Sequence, residues 1–200
     1  MSSVPTLPLT LVTSLNRTLK ATVTPVPSAF TGSQQVQDWG GRWWHYEIEM
    51  ALTKGADGRR LSGFLAGLGG AAGRFLLVDP AAAHQASTLG APLVSGGSQS
   101  GSTLLSSGWV PDSTPLLSGD LFSLGAGAQT RLHQLTADVI SDATGAATLN
   151  FVPPLREAPL DQAGLNVTAP TVCLRLTSPV PTRIGRADSY RFTLTAREAF

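Results

Sequence analysis

The chain has 200 residues, of which 42% are apolar and only 14% charged, so it can bury a real core and is not expected to be disordered. Its 14 basic and 13 acidic residues are spread along the sequence to a formal net charge of +1, which leaves no electrostatic footprint for nucleic acid or anionic lipid. Abundant Gly, Pro, Ser and Thr favour short strands joined by turns, and the expected class is all-β with one short helix.

In chain order, Leu7, Leu9, Leu11, Thr13 and Leu15 alternate with polar neighbours and predict a first strand, with a second extended segment from Thr18 to Val26. "WGGRWWHYEIEM", Trp39 to Met50, predicts a half-buried strand launched by a turn at Gly40 and Gly41. Trp44, Tyr46, Ile48, Met50 and Leu52 take its core face, and Trp43, His45, Glu47 and Glu49 the outer one. Leu61, Phe64, Leu65 and Leu68 fall at helical spacing and predict a short helix near 58–68, stopped by Gly69 and Gly70. "GRFLLVDP" reads as a short strand ended by Pro80.

From about Ala81 the sequence turns small and polar, which reads as a crossing into another module. Short β signals follow in "STLLSSGW" and "LLSGDLFSLG". A hairpin is then predicted, with Leu135, Ala137 and Val139 on one arm, "SDATG" as the turn with Gly145 at positive φ, and Ala147, Leu149 and Phe151 on the other, ended by Pro153 and Pro154. "TVCLRLTSP" and "SYRFTLTAREAF" are amphipathic strands. The last has the same half-buried character as the Trp44 strand, so the two are expected to share a sheet. The expected organisation is a core of residues 1–85 plus 169–200, with 86–168 inserted as a small β-rich domain.

Candidate chemistry is sparse. Glu47 and Glu49 lie on the hydrated face of a strand, where nothing raises a pKa towards that of a general acid. His45, His84 and His133 lack the spacing of a metal motif. "GGSQSG" fails the pattern of a nucleophile elbow, and "GLGGAAG" closes a helix where a dinucleotide cradle opens one. Cys173 is alone, which rules out a disulfide framework and points to a reducing compartment. The start of the chain lacks the basic region of a signal peptide, and no apolar run approaches the roughly 18–20 residues that span a bilayer. No cofactor, metal or membrane is expected. The aromatic cluster is the feature with binding potential, so Trp39, Trp43 and Trp109, with Arg42, Glu47 and Glu49, are the candidate interface or ligand-stacking residues.

The segments "FTGSQQVQDWGGRWWHYEIEM", "LSGFLAGLGGAAGRFLLVDP", the run from "SGSTLLSSGW" to "NFVPPLREAP", and "GRADSYRFTLTAREAF" span most of the chain. In this order they resemble the distal tail proteins, and related minor tail proteins, of long non-contractile-tailed (siphovirus-like) bacteriophages. The resemblance implies a β-barrel or sandwich core related to tail-tube proteins with an inserted β-rich domain. It also implies a virion protein assembled in the bacterial cytoplasm as a ring, usually a homohexamer, that joins the tail tube to the central hub of the baseplate. Its partners would be copies of itself, the tube protein and hub proteins, with a receptor-binding protein or host glycan on an outward domain. The family brings no catalytic residues. Two other readings stand beside it: a carbohydrate-binding module in which Trp39, Trp43 or Trp109 stacks on glycans, and a cell-wall hydrolase whose acids come from Asp112, Asp120, Asp138 or Asp142.

Overall fold

A computed structural model describes residues 4–81 and 89–200. The expected module boundary at 85/86 and His84 lie outside the described residues. In chain order the strands are β1 (Val12–Pro27), β2 (Gln34–Met50), β3 (Thr53–Lys54), β4 (Phe75–Val78), β5 (Gly90–Val94), β6 (Gly101–Trp109) and β7 (Leu121–Leu124). They continue as β8 (Arg131–Leu135), β9 (Ala147–Leu155), β10 (Thr171–Leu176), β11 (Arg183–Gly185), β12 (Ser189–Arg191) and β13 (Thr193–Glu198), and helix α1 spans Gly55–Gly67. The fold is all-β, and no described helix is long and apolar enough to cross a membrane.

Among the described residues three antiparallel sheets form, ordered β1-β2-β13-β10-β4, β11-β12-β3 and β5-β6-β9-β8-β7. In the first, β13 pairs with β2 from Thr193↔Glu49 to Arg197↔His45, so the end of the chain does share the sheet of the Trp44 strand. Its inner face carries Trp44, Tyr46, Ile48, Met50, Leu194 and Ala196, packed on Leu61, Leu65 and Leu68 of the helix segment. Gly69, at φ +63°, ends that segment where the sequence places the stop. A second core fills the unit built from β5 to β9, around Leu104, Phe122, Leu149 and Phe151. Leu121 and Leu132 of that unit nevertheless belong to the first core, where the indole N–H of Trp44 donates to the Leu132 carbonyl at 2.9 Å.

Several sequence expectations change. The first strand and the following segment are one strand, β1, because Asn16 and Arg17 simply continue the ladder opposite Glu47 and Tyr46. The Leu7–Leu11 stretch lies before it: Leu7 is buried beside β4, and Leu9–Leu11 make a 3-10 turn. Gly40 and Gly41 do not launch β2, which starts at Gln34; they form a bulge within it, Gly40 at φ +74°, where β1 advances from Ala21 to Val23 while β2 spans Asp38 to Arg42. Leu52 falls beyond the end of β2 and is exposed. Around the "SDATG" turn, Asp142 Oδ1 accepts from the backbone N–H groups of Thr144 and Ala146, and Gly145 has φ +76°. Val139 bridges Leu116 instead of extending β8. Pro153 and Pro154 lie inside β9, where the Pro153 carbonyl accepts from the His133 ring.

Candidate functional site

Beyond the bulge, β1 and β2 leave the sheet as a two-stranded arm. Among the described residues the pairs from Val23↔Asp38 to Pro27↔Gln34 have no third strand beside them, and β1 is an edge strand throughout. At about 3.3 Å per residue the ribbon from Ala21 to Pro27 is roughly 23 Å long. Every residue from 21 to 40 is exposed except Ser28, which is half-buried. Phe30 at the tip is 98% exposed, and Val26, Val36 and Trp39 are all more than half exposed. Local bonds stiffen the bend: Asp38 accepts from Arg42 at 2.7 Å and from the Gly40 N–H at 2.8 Å, while the Trp39 indole donates to Thr24 Oγ1 at 3.1 Å.

The sequence candidates separate in space. Trp39 lies on the arm, its ring open to solvent. Trp43 lies on the outer sheet face, half-buried, with the Arg197 guanidinium 5.1 Å from its ring centroid. The same guanidinium lies over Phe200, which Arg156 also covers, and Arg156 donates to the Arg42 carbonyl. Arg42 is therefore held at both ends, by Asp38 and through its backbone. Glu47 and Glu49 are exposed two and three rows beyond Trp43 on the outer face, without an ion-pair partner among the described residues. Across that face, Arg175 on β10 sits directly opposite Arg197, and Arg197 opposite His45.

Trp109 is corrected as a stacking candidate. It is 3% exposed in the second core, its indole N–H satisfied by Ser106 Oγ at 2.8 Å, so neither face of its ring is open to a sugar. Three of the four candidate acids of a hydrolase are engaged by turn hydrogen bonds: Asp120 accepts from the Leu117 N–H, Asp138 from the Ser118 N–H, and Asp142 caps its own turn, while Asp112 is exposed in a turn at φ +48°. Asp138 and Asp142 do line one open groove of about 500 Å³. Asp142 is shifted the wrong way for an acid, because hydrogen bonds from Thr144 and the neighbouring backbone lower its pKa.

His133 is buried among Phe122 and Phe151, its Nδ1–H donating to the Pro153 carbonyl at 2.8 Å, and desolvation pushes its pKa down to about 4. It lines a small cavity of about 200 Å³ walled by Leu124, Leu155, Pro159, Leu160 and Ala163. Cys173 is fully buried and its thiol pKa is raised by desolvation, which makes it unreactive. Among the described residues no group of three or more His, Cys, Asp or Glu is placed to hold a metal. Sequence reasoning missed Phe30, Arg156, Arg197 and Phe200. The signal for Phe30 was there: an aromatic residue inside the turn segment "SAFTGS", where turn chemistry favours small and polar residues.

No family model matches the chain, and no curated protein matches it significantly.

Proposed function

We propose that the chain is a structural subunit of a phage tail tip that assembles with copies of itself into a closed ring, joining the tail tube to the central hub. The observation that supports this most is the arm. A two-stranded ribbon with both edges unpaired is marginal in water, and one carrying exposed Phe, Trp and Val is an aggregation hazard unless something covers it. A neighbouring subunit supplies that cover, and the net charge of +1 lets many copies approach without mutual repulsion. The tube and hub proteins are the partners of the two ring faces. The role is one of assembly, with no catalytic step and no cofactor.

Sedimentation and native mass spectrometry of the purified protein test the reading, together with mass spectrometry of purified virions. A discrete ring-sized oligomer and a virion signal are expected. Replacing residues 22–39 by a two-residue turn leaves a folded monomer. A wild-type protein that stays monomeric at high concentration and is absent from virions overturns the proposal.

A further inference from the structure

The arm tip and the small cavity of the second unit match each other in size and chemistry, and nothing in the chain's own fold brings them together. Phe30 presents a whole phenyl ring to solvent. The residues around it, Ser28, Ala29, Thr31, Gly32 and Ser33, are small, so the tip is narrow enough to enter a recess. The cavity of about 200 Å³ is walled by Leu124, Leu155, Pro159, Leu160 and Ala163. Apolar cavities of about 150 Å³ are large enough to take up benzene. Leu160 at the mouth is itself 80% exposed, an apolar residue on a rim where solvent gives it nothing. The groove of about 500 Å³ beside Asp138 and Asp142 is far larger than a phenyl ring and is walled mainly by Ser, Thr and Ala, so it would leave the ring with few close contacts.

We infer that Phe30 of one copy inserts into the Leu124–Leu155–Leu160 cavity of the next. This deepens the ring reading and rests on it. The occupant is a second copy for three reasons. Between Lys20 and Asp38 the arm carries no charge, so it passes Arg131, Arg156 and Glu157 at the cavity without bringing a like charge. The exposed arm residues approach the 20 to 30 per side, roughly, that a standard stable interface uses, whereas a lone phenyl ring would not sustain one. Knob and hole also lie on different units of the chain, so one copy can give its knob to one neighbour and its hole to another, a heterologous contact that closes into a ring when the rotation allows, whereas reciprocal exchange between two copies stops at a dimer.

The test uses full-length protein. Phe30→Ser and Leu160→Arg are both at exposed positions, so their melting curves should match wild type, while the concentration at which the oligomer half-dissociates rises on the order of ten- to a hundredfold. Oxidation of a Phe30→Cys/Leu160→Cys double variant should give a ladder of disulfide-linked copies, absent from either single variant; Cys173 is buried and does not interfere. If Phe30→Ser assembles as wild type does and no ladder forms, the docking is wrong while the ring stands. If wild type is monomeric, both fall. If the ladder forms but the protein is absent from virions, the docking stands and the tail reading falls.

Discussion

Asp79 shows how one side chain can tie separate elements together. Almost fully buried, it accepts from Arg17 at 2.5 Å, from the Tyr46 hydroxyl at 3.2 Å and from the Ala81 N–H at 3.0 Å. Removing one partner of a buried pair strands the other, so Asp79→Ala should cost about 3 kcal/mol in urea unfolding, and Asp79→Ala with Arg17→Met should recover part of it. His133 gives a pH signature. Its pKa is about 4 in the folded protein against 6.5 for the free group, so between these values only the unfolded chain takes up the proton. The stability is complete above pH 6.5, falls as the pH drops through the window and levels off below pH 4, a loss on the order of 3 kcal/mol. His133→Phe keeps the stack with Phe122 and Phe151 and should remove that step; an unchanged step assigns it to other groups. Neither residue announces itself in the sequence, since "VDP" and "RLHQL" are ordinary strand text and burial comes from distant segments.

At the scale of elements, α1 separates what propensity says from what packing says. Gly58 and Gly63 both sit inside it, and by propensity alone Ala at either should stabilise by up to about 1 kcal/mol. A Cβ on Gly58, however, would lie 2.1 Å from Cδ2 of Tyr190, while one on Gly63 meets nothing within 4 Å. Gly63→Ala should therefore raise the melting temperature, and Gly58→Ala should lower it by an overpacking cost of about 1–3 kcal/mol. The helix itself was legible because Leu61, Leu65 and Leu68 repeat at its period. The arm was legible only in part. Alternation identifies β1 and β2 as extended, yet it cannot tell a strand paired inside a sheet from one that runs past the end of it. That difference depends on where β13 stops, at Glu198, whose carboxylate accepts the Trp44 N–H where the ladder ends.

On the scale of the whole molecule, two cores share one seam. Leu121 and Leu132 reach from the second unit into the first core, Trp44 donates across to Leu132, and Arg131 donates to the Ala199 carbonyl at 3.1 Å. The units should therefore unfold together. Calorimetry of the variant with residues 22–39 replaced by a turn is expected to show one transition, and Leu132→Ala to move it as a whole by about 2–5 kcal/mol of stability; two separable transitions would contradict the shared core. By itself the sequence determined the class, the helix, the inward set Trp44, Tyr46, Ile48 and Met50, and that the last strand shares a sheet with the Trp44 strand. Those follow from periodicity, which is a local property of the chain. Only the tertiary structure decided that Trp109 is sealed in a core, that Arg197 covers Trp43, and that Phe30 is left bare beyond the last paired strand. Exposure is a property of what other segments fail to cover, and no local pattern encodes it.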